Sequence, residues 1–287
     1  MAAAPPSRTG EIRLLSAESL PLPPVTPMEY KTHRLPNGIR LIHQEVQSPV
    51  AHCGILINTG SRDELPEEHG LAHFIEHVLF KGTGKRKAWH IISRLEDVGG
   101  DLNAYTTKEE TCIHASFLKE YTERAMELIS DIVFNSVFPS KEVEKEKDIV
   151  LDEINSYLDN PAELIFDEFE ELIYENNPIG RSILGTPASV KSFNKAMVQS
   201  FIQRNYHTDQ MVISSVGQID FASMVKWFSK YFGNIPANLR NYKRAEITGY
   251  SASNRTVNKD TFQEHALHHW QCSLCPRRSS QDRSASP

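Results

Sequence analysis

The sequence predicts an α+β fold: a sandwich of a mainly antiparallel sheet packed against helices. Short apolar runs such as Ile39, Leu41 and His43, and the stretch from Val50 to Asn58, alternate or cluster as strands do. Longer runs repeat apolar residues at helical spacing, as in Tyr121, Ala125, Leu128, Ile129, Ile132 and Val133. Strands and helices come mixed, without the strict βαβ alternation of a parallel sheet.

Each element follows from local chemistry. Residues 1–27, ending Leu22-Pro-Pro-Val-Thr-Pro27, are rich in Pro, Ala and Ser and read as a flexible lead. Tyr30 to Val46 is a hairpin signal turned by Pro36-Asn37-Gly38. A helix is expected from about Glu67 to Lys81, stopped by Gly82 and Gly84. Asp101–Thr107 and Thr111–Phe117 read as strands. A long helix begins near Ser140, with Val143, Val150, Ile154 and Leu158 on its buried face. Asn160-Pro161 breaks the chain and opens the next helix, where proline is tolerated in the first turn. A last helix at Lys195–Asn205 precedes a β-run, Met211–Ile219. Residues 28–264 form one domain in this reading, and 265–287 are a polar, basic tail expected to be disordered.

Composition narrows the function. The chain has 287 residues, 39% apolar and 24% charged, an ordinary globular balance. A net charge of −6 argues against a dedicated nucleic-acid binder. No run approaches the 18 apolar residues that a membrane-spanning helix needs. Four cysteines are too few and scattered for a disulfide framework. The lead lacks a secretory signal, and Glu11 and Glu18 argue against a mitochondrial presequence despite Arg8 and Arg13. A cytoplasmic location is expected, ahead of the mitochondrial matrix.

The chemistry concentrates in His69-Gly-Leu-Ala-His73-Phe-Ile-Glu76-His77. Histidines four apart on a helix are one turn from each other, so both imidazoles reach one ion. Glu76 lies beside them, where a carboxylate can take a proton from water in an open metal position. With 12 histidines in the chain, chance gives roughly 0.04 matches to such a five-residue pattern. A third ligand is usually a carboxylate, and the helix after Ser140 offers Glu146 and Glu153 on one face, apart from the apolar stripe.

His-x-x-Glu-His is the inverted-zincin signature. The sequence resembles the family of pitrilysin, insulin-degrading enzyme and mitochondrial processing peptidase, and within it the bacterial processing-peptidase-like zinc proteases. Gly70-Leu-Ala-His-Phe-Ile-Glu-His-Val-Leu-Phe-Lys-Gly-Thr83 and Gly99-Gly-Asp-Leu-Asn-Ala-Tyr-Thr106 match it closely, and the likeness extends over 28–264. It implies one zinc per chain held by His73, His77 and Glu153, with Glu146 in support and Glu76 as base. It implies that Asn103 and Ala104 lie on an edge strand that aligns a peptide substrate by its backbone. Glu163 and Asp167 match carboxylates that receive a basic substrate side chain, although Glu168, Glu170 and Glu171 beside them equally describe a solvated acidic helix. A zinc endopeptidase follows as the implied activity, with a homologous second half as partner. The rivals are an inert or weakly active subunit that needs such a half, and a zinc-knuckle module.

Weaker signals are set aside. His69 is in register with His73 but sits at the expected helix start. Cys272-x-x-Cys275 with His268 and His269 resembles a zinc knuckle without a folded context. The basic run Lys81–Lys87 lacks a phosphate-loop pattern and reads as a solvated loop. Asn254-Arg-Thr256 is a glycosylation sequon expected to stay unmodified.

Overall fold

A computed structural model describes residues 29–247, 254–258 and 265–267. The lead at 1–27 and the Cys272–Cys275 tail with His268 and His269 lie outside the described residues.

Six strands make one sheet: β1 (Lys31–Arg34), β2 (Arg40–Glu45), β3 (Val50–Ile57), β4 (Asp101–Thr106), β5 (Thr111–Leu118) and β6 (Met211–Gly217). Their order is β1-β2-β6-β3-β5-β4, and every neighbouring pair is antiparallel except β2 with β6. The β1–β2 turn uses Gly38 at φ +100°, which glycine adopts without a Cβ penalty. Asn37 in that turn donates through Nδ2 to the carbonyls of Phe232 and Ile235, at 2.8 and 2.9 Å.

Among the described residues eight α-helices complete the fold: α1 (Leu71–Leu79), α2 (Ala88–Glu96), α3 (Thr122–Asn135), α4 (Ser140–Leu158), α5 (Pro161–Ile173), α6 (Pro187–Ser192), α7 (Lys195–Asn205) and α8 (Phe221–Phe232). Alternate strand residues, among them Ala51, Cys53, Ile55, Ile57, Ile113, Ala115, Phe117, Met211 and Ile213, belong to a core shared with helical residues. Helix α3 supplies Ala125, Met126, Leu128, Ile129 and Ile132 to that core, and α8 supplies Met224, Phe228 and Phe232. Each fully buried side chain of this size contributes about 1.5–3 kcal/mol. Helix α1 packs against β4, α4 and α7, at the β4 end of the sheet. Among the described residues no helix is long and apolar enough to cross a membrane.

Several sequence expectations need correction. The motif helix starts at Leu71 rather than Glu67, because a 3-10 turn at Pro66–Glu68 and Gly70 at φ +92° break the approach. Gly70 also crosses Gly185 backbone to backbone, and a Cβ on Gly70 would stand 2.6 Å from the Leu184 carbonyl. Leu158 is exposed, not buried, since α4 ends there and the chain turns into α5. Glu146 is buried in line with Val143, Val150 and Ile154, so it does not lie apart from the apolar stripe. The run Lys81–Lys87 is only partly solvated: Gly84, Lys85 and Lys87 are exposed, but the rest is tied down. Gly82 and Lys87 pair as a bridge, Lys81 lies 2.7 Å from Glu146, and Arg86 pairs with Glu127 and Asp131. Helices α2, α6 and α8 escaped the periodicity reading.

Candidate active site

Helix α1 carries the site and is fastened at its start. Glu64 accepts hydrogen bonds from the Gly70 and Ala72 amides, at 3.0 and 2.8 Å, satisfying donors that a helix N-terminus leaves open. His69 lies before the helix and donates through Nε2 to the Ser182 carbonyl at 2.9 Å, which turns it away from a ligand role.

One turn apart on α1, His73 and His77 bring their Nε2 atoms to 3.2 Å. Glu153 arrives from α4, its Oε2 lying 3.6 Å from His73 Nε2 and 3.4 Å from His77 Nε2. Two ligands each ~2.0–2.2 Å from a tetrahedral zinc stand about 3.3–3.6 Å apart. The three edges of this triangle therefore fit one such ion, and the group is the one metal-capable His/Cys/Asp/Glu cluster found among the described residues.

The surroundings orient the ligands. His77 donates from Nδ1 to Glu146 Oε1 at 3.1 Å, so that in the neutral ring the Nε2 lone pair faces His73 and Glu153. Lys81 holds the other Glu146 oxygen at 2.7 Å. Hydrogen bonds from His77 and Lys81 keep Glu146 below its ordinary value against the opposing effect of its burial. His73 is pushed down to about 4, mainly by burial and then by His77 beside it. Burial also pulls His77 down, yet the carboxylates of Glu146 and Glu153 outweigh it and lift it to about 9.

Glu76 points toward β4, where Thr106 donates from Oγ1 to its Oε2 at 2.6 Å. Burial raises its carboxyl above the usual range, and the Thr106 bond only moderates this. A raised carboxyl suits a group that must accept and return a proton near neutrality. Strand β4 is one of the sheet's two outer strands, with Asn103 exposed and Ala104 half-buried. Its free edge can pair with an extended chain.

Glu163 and Asp167 sit differently. Glu163 is exposed on α5, and its backbone carbonyl accepts from the Tyr157 hydroxyl at 3.1 Å. Asp167 already faces an ammonium: Lys108 Nζ is 3.5 Å from its Oδ1, 3.1 Å from Glu170, and donates to the Arg181 carbonyl at 2.6 Å. The sequence reading missed Glu64, Thr106, Lys81 and Lys108. Glu64 precedes Gly70 by six residues, beyond the reach of a capping-box pattern, and the other contacts join residues far apart in sequence.

A His-x-x-Glu-His helix faced by a carboxylate from a separate helix, beside an outer sheet edge, has the arrangement of an inverted-zincin metallopeptidase half. The chain belongs to the insulinase family, peptidase family M16, which matches residues 40–187. Residues 192–275 match a second family description, the peptidase M16 inactive domain. The beta subunit of the mitochondrial-processing peptidase of Saccharomyces cerevisiae is 35% identical over 225 residues, 78% of this chain and 48% of that protein. The "uncharacterized zinc protease YmxG" of Bacillus subtilis is 34% identical over 243 residues, 82% of this chain and 57% of that one. The chain thus spans about half the length of the curated relatives it matches. The solved first half of the periplasmic protease PqqL from Escherichia coli superposes with a TM-score of 0.69 at 25% identity, covering 75% of this chain and 48% of that one.

Proposed function

We propose that this chain is the metal-bearing part of a zinc endopeptidase acting on extended peptides, with one zinc per chain. The observation that carries the reading is the triangle of His73, His77 and Glu153 ligand atoms, with edges of 3.2 to 3.6 Å, beside a buried Glu76. Bound there, a zinc ion would polarise the scissile carbonyl and bring the pKa of a water towards ~7.

The chain's own residues do the rest. The free edge of β4, around Asn103 and Ala104, receives the substrate backbone as an added strand. Thr106 holds Oε2 of Glu76, leaving Oε1 to take the proton of the attacking water and pass it to the leaving amine nitrogen. Glu146 keeps His77 in the tautomer that presents Nε2. Glu163 and Asp167 are proposed as a subsite for a basic substrate side chain, which would share Asp167 with Lys108.

A homologous second half is proposed as the partner that encloses the substrate. Ile149, Leu158 and Phe166 on α4 and α5 are large apolar side chains left exposed, as an unpartnered contact surface would be. Alone, the chain should bind zinc and cleave slowly, because groups that steady the developing oxyanion are worth ~10²–10³ in rate.

The test is zinc analysis with a quenched-peptide assay on the chain and on Glu76→Gln, each alone and with a homologous half added. Zinc should stay bound in Glu76→Gln while hydrolysis falls by ~10²-fold or more. The parent chain should gain turnover when the second half is present. Equal cleavage by Glu76→Gln would remove Glu76 as the base, and full turnover by the lone chain would remove the partner.

A further inference from the structure

After α8 the chain crosses the sheet end as a strap, residues 236–247, with neither helix nor strand in it. It is nonetheless held at many points. Asn238 exchanges backbone bonds with Thr208: the Thr208 amide donates to its carbonyl at 2.7 Å, and its own amide donates to Thr208 Oγ1 at 3.0 Å. Tyr242 donates its hydroxyl to Asn205 Oδ1 at 3.1 Å. Arg240 donates to the Asn58 carbonyl.

The strongest attachment is Arg244. Its Nε and Nη2 grip both oxygens of Asp63, at 2.8 and 2.6 Å. The same guanidinium donates to Asn58 Oδ1 at 2.8 Å, to the Asn58 carbonyl at 3.1 Å and to the Glu109 carbonyl at 2.7 Å. The Arg244 and Asp63 side chains are 14% and 2% exposed, so water does not compete freely for this pair. Arg62 answers from the other side, donating to the strap's Ala245 carbonyl at 2.5 Å.

What Arg244 joins is what positions the site. Asp63 adjoins Glu64, whose carboxylate fastens the start of the metal helix α1. Glu109 lies in the β4–β5 turn, three residues after the Thr106 that holds Glu76. Loop 58–64 and this turn already touch closely: the Ser61 and Arg62 amides donate to the carbonyls of Thr107 and Lys108, and a Cβ on Gly60 would stand 2.4 Å from the Thr107 carbonyl. One guanidinium therefore bonds to both supports, α1's and β4's.

We propose that Arg244 is a positioning residue for the metal centre: delivered by the strap, it locks loop 58–64 to turn 107–110 and so sets α1 against β4. The proposal rests on the zinc reading above but reaches a residue far from the ligands. Lysine at this position keeps the charge and loses the fork that binds both Asp63 oxygens and two carbonyls.

The full chain and its Arg244→Ala, Arg244→Lys, Asp63→Asn and Asp63→Asn/Arg244→Ala variants would be compared. Zinc affinity would be read by chelator competition, and amide hydrogen exchange over residues 71–75 would be followed alongside. Arg244→Ala should weaken zinc about 3- to 30-fold and speed exchange in the first turn of α1. Arg244→Lys should fall between, and the double variant should be no worse than the worse single one, as residues in one network behave. Arg86→Ala is the control, because it removes a similar arginine–carboxylate pair, with Asp131 on α3, that makes no bond to loop 58–64. It should leave zinc affinity unchanged. Zinc affinity within twofold of the parent in folded Arg244→Ala would overturn the proposal, as would an equal loss in Arg86→Ala. If Arg244→Ala fails to fold, Arg244→Lys and Asp63→Asn carry the same comparison. Absence of zinc from the parent chain would instead reject the metal reading itself.

Discussion

Helices α1 and α5 both bring charged or titratable side chains to the same end of the sheet, yet they are anchored in opposite ways. Seven of the nine residues of α1 are buried, and its first amides are tied to Glu64. None of the thirteen residues of α5 is buried, and Asp167 and Glu170 meet the ammonium of Lys108 while Glu171 meets Arg255. Groups that hold a metal within tenths of an ångström belong on an element whose rotamers are locked by packing. Groups that meet varied side chains tolerate a looser one, at the low-stability end of a structure. Under the proposed function, the contrast would separate where chemistry is fixed from where recognition can adjust.

Substitutions on the two helices should therefore differ in kind. The largest effect is expected at the ligands: His77→Ala or Glu153→Ala removes one corner of the triangle, so metal analysis should find the zinc largely gone and hydrolysis with it. Full zinc content in both would break the assignment. Next comes Glu64→Ala, which strips the start of α1 of its acceptor and leaves two amides unmet. Urea unfolding should register a loss of about 2–3 kcal/mol. The smallest effect belongs to α5. Replacing Glu163 and Asp167 by Gln and Asn should leave stability within about 1 kcal/mol. In kcat/KM, any preference for Arg over Ala near the cleavage site should fall by about fivefold, the worth of roughly 1 kcal/mol. An unchanged ratio would return both carboxylates to the solvated face of a helix.

The sequence displayed whatever is local. Pro36-Asn37-Gly38 announced the hairpin, Asn160-Pro161 the start of α5, and apolar spacing the helix Lys195–Asn205, with the bounds observed. The α+β class was legible for the same reason, whereas the outer position of β4 came only from the family resemblance. Helix α8 was missed although Asp220 caps it through the Ser223 amide at 2.9 Å and Met224, Phe228 and Phe232 form its buried stripe. That signal was present in the residues and went unread. Other features could not be read. Glu146 looked like a polar partner of Glu153 because seven residues is two turns, but α4 buries Glu146 against Lys81 and His77. Glu64, Thr106 and Lys108 act on residues between 6 and 73 positions away, and no periodicity encodes such pairings.

The place of β6 bears on how the molecule is assembled in time. Strands β2 and β3 are consecutive in sequence but do not touch, because β6, some 150 residues downstream, lies between them. Until residue 217 has been synthesised, the sheet can exist only as two ribbons, β1–β2 and β3–β5–β4, each with an unpaired edge awaiting the same partner. Joining them closes long loops before any contact rewards it, which slows folding and leaves those edges open to wrong pairings in the meantime. Pulse-labelled hydrogen exchange should therefore find the amides that bond β6 to β2 and β3 gaining protection in one step, with protection of the β1–β2 and β3–β5–β4 ladders able to precede it.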